Sequence, residues 1–205
     1  MRHIVCQQPE SIPGTVREVV ACLRAGGVVV APTETVYGLI TRWDNAAGRG
    51  RLFALKQRPA EKHLQMLAAD LPMAAAFIVG GDARLPALAA RFWPGPLTVV
   101  VPGRDGGTIG LRLPAHALMQ AVLGALGTPL AATSANRSGE APALCAADAV
   151  RGLAGEPDLV VDGGPPPCGG ASTVVSICET PMRVIRAGPL SEDALRGALG
   201  EAGVE

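Results

Sequence analysis

Residues 26–39 read GGVVVAPTETVYGL, and the change of character within this run decides how the chain is read. VVVA (28–31) is a short apolar run that stops at Pro32, as expected of a short buried strand. Just upstream, TVREVVACLRAGG (15–27) places Val16, Val19, Val20 and Leu23 at helical spacing and ends on a glycine pair, so a helix feeds the strand. Just downstream, Thr33, Glu34, Thr35 and the chain's only tyrosine, Tyr37, crowd the strand end. Loops at the ends of strands in α/β sheets can converge on one rigidly held crevice, which makes such a cluster a candidate binding segment.

The alternation continues outward. NAAGRGRLFALKQR (45–58) reads as a helix that exits at Pro59, because a residue before proline, here Arg58, is pushed toward an extended conformation. HLQMLAA (63–69) suits a strand, and 71–79 and 83–92 suit helices. LTVVVP (97–102) follows the WPGP turn as a strand, GLRLP (110–114) is another, AHALMQAVLGALG (115–127) is a helix and PLAAT (129–133) a buried strand. DLVVDGG (158–164), STVVSI (172–177) and MRVIRAG (182–188) supply late strands, and SEDALRGALG (191–200) closes the chain as a helix that Ser191 caps. Strands separated by helices predict an α/β class, and closely spaced late strands predict some antiparallel pairing. The expected architecture is therefore a mixed sheet with flanking helices in a single domain, 1–205, with GGPPPCGG (163–170) as one flexible loop.

Composition narrows the function classes. No run of eighteen apolar residues and no signal-type start occur, so a soluble cytoplasmic protein without a membrane partner is expected. Five scattered cysteines without a CxxC pair, and histidines only at 3, 63 and 116, signal neither a disulfide framework nor a metal site. Formal charge is zero, yet residues 42–62 carry six cations against two anions. Lysine occurs twice, at 56 and 62, against sixteen arginines, so KQRPAEK (56–62) holds both compact ammonium groups, with Arg58 as a bidentate partner for phosphate.

Besides PTETVYGL, two other loops at strand ends are rich in short hydroxyl and amide side chains, TSANRSGEAP (133–142) and ASTVVS (171–176). Any one of them alone is ordinary turn chemistry. Three together with the cationic helix exit KQRP predict a nucleotide pocket with one phosphate-binding wall and one hydroxyl-lined wall. No GxxxxGK[ST], GxGxxG, kinase or GxSxG motif is present, and His116, at a helix start, reads as a capping or surface residue.

In order, PTETVYGL, the Lys-x-Arg of KQRP, FWPGPLTVVVP (92–102), GLRLPAH (110–116), the Ser-x-Asn of TSANRSGEAP, and STVVS followed by RVIRAG resemble the YrdC-like threonylcarbamoyl-AMP synthases. The resemblance runs from about residue 12 to 190 and fits the short form, without an additional C-terminal domain. It implies a twisted mixed sheet with a large cationic cavity. It also implies a nucleotidyltransferase that condenses L-threonine, bicarbonate and ATP, with Mg²⁺, to threonylcarbamoyl-AMP and pyrophosphate. The product would serve a downstream tRNA threonylcarbamoyl transferase complex.

By the same resemblance Lys56, Arg58, Ser134 and Asn136 form the catalytic, nucleotide-holding set, joined by Thr108, Arg186 and Lys62 on ATP. Thr35, Arg112 and Ser172 meet L-threonine, with Tyr37 beside them, and no residue is assigned to a metal. The chain departs from many relatives at His63 and Leu67, which bears on amino-acid choice. Two alternatives accompany the synthase: an RNA-binding module that uses Arg49, Arg51 and Arg58 on phosphates, and a paralogue that adenylates another carbamoylated amino acid.

Overall fold

The structure is a computed structural model and describes residues 1–57 and 63–204. Strands among these residues form one mixed sheet, and their chain order is β1 (Arg2–Val5), β2 (Val29–Ala31), β3 (Gly38–Arg42), β4 (Gln65–Leu67), β5 (Leu97–Pro102), β6 (Thr108–Arg112), β7 (Leu130–Ser134), β8 (Leu159–Asp162), β9 (Thr173–Ser176) and β10 (Arg183–Arg186). Across the sheet the order is β1-β8-β2-β3-β7-β4-β6-β5-β9-β10. Four pairs are parallel (β1–β8, β2–β8, β4–β6, β5–β9) and five antiparallel. The helices are α1 (Ile12–Arg24), α2 (Ala46–Lys56), α3 (Leu71–Ala74), α4 (Arg84–Phe92), α5 (Ala117–Leu126), α6 (Ala146–Arg151) and α7 (Glu192–Glu201).

Opposed residues on neighbouring strands point to the same side of a sheet, so register decides what each face carries. Met66 lies opposite both Ala131 and Leu111. That face is mostly apolar, with Thr41, Thr133 and Thr173 among its residues. Leu39, Ala131 and Val160 pack under α2 and α6, and Leu97, Val99, Leu111 and Val175 pack with Leu88 of α4 and with Leu195 and Leu199 of α7. On the opposite face α1 and α5 cover mainly β2, β3, β7 and β8, through Val19, Leu23, Met119 and Val122 against Val29, Ile40, Leu130 and Val161, and reach Leu67 at the end of β4. Beyond them, over β4, β6, β5 and β9, the same face holds Gln65, Gly110, Thr98 and Val174, which line a hollow instead of a helix contact. Among the described residues no helix is long and apolar enough to cross a membrane.

Most expected elements form within a few residues of their expected limits, and β5 matches at both ends. Ser191 caps α7 by accepting a hydrogen bond from the Ala194 N–H. The helix expected over 71–79 stops at Ala74, because Ile78 instead bridges Gly103 and the Val79 N–H donates to the Pro102 carbonyl. Three elements are additions to the sequence reading. β3 is buried on both faces for its first four residues, so no alternation marks it. β1 is an edge strand with little burial, and α6 is short, started by the Cys145 thiol accepting from the Asp148 N–H. Loop 163–170 is tied down rather than loose at two points: the Cys168 N–H donates to the Glu34 carbonyl and the Tyr37 hydroxyl donates to the Gly164 carbonyl.

Candidate nucleotide and amino-acid site

The hollow over the uncovered half of the sheet encloses about 400 Å³, within the range usual for small-molecule sites. Strand alternation builds its wall. Thr98 and Val100, Thr108, Gly110 and Arg112, and Ala132 and Ser134 are each every second residue of one strand. Ser172, Val174, Ile185 and Arg186 come from β9, β10 and the loop before β9, and Thr35 and Val36 come from the loop after β2. Thus Thr35, Thr108, Arg112, Ser134, Ser172 and Arg186, six of the residues expected at the site, stand around one cavity.

PTETVYGL divides its labour in a way that composition does not show. Residues 32–39 are all buried. Thr33 is turn chemistry: its hydroxyl donates to the Val36 carbonyl (2.8 Å) and accepts from the Thr35 and Val36 N–H groups. Its Oγ1 also lies 2.9 Å from Thr35 Oγ1, which fixes the Thr35 side chain at the cavity wall.

Glu34 accepts a hydrogen bond at 3.0 Å from Arg112, and both side chains are about 95 % buried. Burial pulls the Arg112 pKa down against the opposing pull of Glu34. Glu34 Oε1, Arg112 Nε and His116 Nδ1 are buried with no hydrogen-bond partner among the described residues. Since buried polar groups are otherwise nearly always matched, an unmatched guanidinium nitrogen on a cavity-lining residue is suited to an anionic oxygen.

Tyr37, expected beside the amino acid, stands apart from the cavity wall. Its ring is fully buried among Val30, Leu39 and Val160, its hydroxyl donates to the Gly164 carbonyl at 2.8 Å and accepts from the Gly163 N–H, and Asp162 lies 3.2 Å away. Burial first, then Asp162, holds the phenol protonated, with its pKa pushed up to about 12. It anchors a loop and does not line the cavity. His116 is a correction to the sequence reading. It occupies the N-cap position of α5 but makes no capping bond, is only partly exposed, and burial lowers its pKa from the ordinary 6.5.

Lys56 and Ser-x-Asn do converge, across a separation of about eighty residues. The buried Lys56 ammonium donates to the Ser134 carbonyl (2.6 Å), the Ser134 hydroxyl (2.7 Å) and Asn136 Oδ1 (2.8 Å). Asn136 Nδ2 in turn donates to the carbonyls of Arg137 and Glu140. Ser134 lines the cavity, whereas Lys56 and Asn136 are its supports and lie outside the cavity's lining. Arg58 and Lys62 lie outside the described residues.

Among the described residues of the basic stretch that suggested RNA phosphates, the arginines are engaged within the protein. Arg42 pairs with Asp44, Arg51 makes two hydrogen bonds to Asp158, and the Arg49 guanidinium lies 5.6 Å from the centre of the Trp43 ring. Sequence reasoning passed over Gln65 and Thr98 at the cavity. The available signal was a polar residue inside each of the apolar runs LQMLAA and LTVVVP, the first of them next to His63, which also lines the cavity.

The Sua5/YciO/YrdC family model, described as telomere recombination, matches residues 21–188. A threonylcarbamoyl-AMP synthase of Chromohalobacter salexigens is 40% identical over 157 residues, covering 72% of this chain and 84% of its own length. A synthase of the same description from Pyrococcus abyssi is 33% identical over 198 residues, covering 87% of this chain but only 55% of that protein. The crystal structure of Pyrococcus abyssi Sua5 complexed with L-threonine superposes with a TM-score of 0.88 at 30% identity, covering 98% of this chain and 61% of that one.

Proposed function

Because the chain belongs to the Sua5/YciO/YrdC family, we propose that it is a threonylcarbamoyl-AMP synthase, a nucleotidyltransferase that joins L-threonine, bicarbonate and the AMP moiety of ATP. The observation that carries the reading is the single cavity that unites Thr35, Arg112 and Ser172 with Thr108, Ser134 and Arg186. The α-amine attacks bicarbonate and water leaves. A carbamate oxygen then attacks the α-phosphorus of ATP, the bond to the β-phosphate oxygen breaks, and pyrophosphate departs.

Nothing in this sequence demands a nucleophilic side chain. The chain's work is to hold two anions in line and offset their repulsion. Arg112, with its unmatched Nε, receives the threonine carboxylate, while Thr35 and Ser172 complete the amino-acid subsite. Arg186, Thr108 and Ser134 face the nucleotide, to which the resemblance also assigns Arg58 and Lys62, and Lys56 with Asn136 holds Ser134 in its place. Among the described residues no three His, Cys, Asp or Glu side chains gather as a metal site. In this reading Mg²⁺ enters as part of the MgATP substrate.

The product is a mixed anhydride, so a transferase must consume it. In this reading that is the tRNA threonylcarbamoyl transferase complex, and the protein works in the cytoplasm beside it. Pyrophosphate release measured with ATP, bicarbonate and a panel of amino acids tests the proposal. Turnover specific for L-threonine, reduced in Asn136→Ala, is expected. Release with another amino acid and none with threonine would instead identify a paralogue of altered specificity, for which His63 and Leu67 are the first positions to examine.

A further inference from the structure

A chain of side-chain hydrogen bonds crosses the cavity wall from β4 to β10. Gln65 Nε2 donates to Thr98 Oγ1 at 2.5 Å, Thr98 Oγ1 lies 2.8 Å from Ser172 Oγ, and an Arg186 terminal nitrogen donates to Ser172 Oγ at 3.2 Å. Arg186 also grips the Ser172 carbonyl through two nitrogens, at 3.1 and 2.9 Å. Between β4 and β5 lies β6, and the residue opposite Gln65 there is Gly110. A Cβ on Gly110 would already stand 3.3 Å from Thr98 Cγ2, so glycine leaves the gap that Gln65 spans.

Both ends of the chain donate inward. Arginine only donates, and a hydroxyl has one proton and two lone pairs. Thr98 Oγ1 accepts from Gln65 and Ser172 Oγ accepts from Arg186, so the two hydroxyls use one proton between themselves and have one left for the cavity that both line. With Thr98 as the donor of that pair, Ser172 Oγ accepts from both Thr98 and Arg186, its lone pairs are occupied, and the proton left for the cavity is its own.

We propose that Gln65 and Thr98 are positioning residues that hold the Ser172 hydroxyl as a hydrogen-bond donor, so that the substrate group beside it is a carboxylate-type oxygen and not the α-ammonium. The identity of that group rests on the synthase reading above, whereas the direction of the chain does not. A carboxylate oxygen at Ser172 leaves the α-amine elsewhere, free to meet bicarbonate. Gln65→Glu is close to isosteric but offers only acceptors. It draws the Thr98 proton to itself, and Ser172 then donates to Thr98 and turns a lone pair toward the cavity.

The test compares Gln65→Glu, Thr98→Val and Thr98→Ser with wild type for the KM of L-threonine, the KM of ATP and thermal melting. Gln65→Glu is expected to raise the threonine KM about tenfold, the equivalent of one lost charge-assisted hydrogen bond, with a far smaller change for ATP. Thr98→Val should raise it by less, and Thr98→Ser should restore it. Equal shifts in both KM values, or Thr98→Ser no better than Thr98→Val, would overturn the proposal.

A second readout needs no substrate. Slow solvent exchange of the Gln65 side-chain amide protons in the free protein should be retained in Thr98→Ser and lost in Thr98→Val. Absence of that pattern refutes the chain itself. A wild-type protein that shows the pattern but releases no pyrophosphate with threonine refutes the synthase reading alone.

Discussion

Replacing Glu34 by glutamine should cost more stability than its single hydrogen bond suggests. The carboxylate sits 3.0 Å from Arg112 with both side chains almost wholly buried. At that distance two unit charges attract by about 5 kcal/mol at an effective dielectric constant near 20. Glutamine keeps a carbonyl oxygen for the same guanidinium nitrogen, and such a bond contributes about 1 kcal/mol net. What remains is an uncompensated buried cation, so the expected loss is about 3–5 kcal/mol, a large part of a typical total of about 5–15 kcal/mol. Urea denaturation followed by circular dichroism measures it directly. Since replacing both members of a buried ion pair is often close to neutral, Glu34→Gln with Arg112→Met should recover much of the loss. A Glu34→Gln protein within about 1 kcal/mol of wild type would refute the reasoning, because the pair would then be held in a far wetter environment than the structure describes.

Tyr37 is the chain's only tyrosine, so its titration can be followed by ultraviolet absorbance without substitution. The folded midpoint should lie at about 12, against an ordinary 10.0. Between those values the unfolded chain loses a proton that the folded chain keeps, so stability should fall as pH rises through this window; a midpoint near the ordinary value would show an exposed phenol. For His116 the sign is reversed in pH. Its folded pKa lies below the ordinary 6.5, so the unfolded chain binds a proton first and stability should decline as pH drops below that value. His116→Gln should flatten this slope in denaturation curves recorded from neutral to mildly acidic pH. Lys56→Met removes the donor that serves the Ser134 carbonyl and Asn136 Oδ1. A loss of about 2–4 kcal/mol in urea denaturation is expected, since each stranded buried acceptor costs about 1–3 kcal/mol. Pyrophosphate release should fall with it, and normal turnover would show that the Ser-x-Asn loop holds its shape without the lysine.

The elements most legible in the sequence are those whose signal is local. The glycine pair after Leu23, the β5 run LTVVVP and the Ser191 cap each depend on residues within one or two turns. β3 was illegible for the opposite reason: with both faces buried at the sheet centre, GLITR carries no alternation to read. The same division runs through the site. Lys56 and Asn136 could be nominated by motif, but the motif does not say that Lys56 binds the Ser134 loop at three points, eighty residues away.

Residue types alone determined that this chain is an α/β protein, that hydroxyls, amides and cations concentrate at a few strand ends, and which family those ordered segments resemble. Tertiary structure alone decided which members of those segments share a cavity. Thr35 faces it while Tyr37, two residues on, is buried in the core among Val30 and Val160, and Gln65 and Thr98 join it although only a polar residue in an apolar run marks each of them. The physical reason is that alternation along a strand separates two faces, but only the strands paired beside it, and the helices that do or do not cover them, determine which face is core and which meets a substrate.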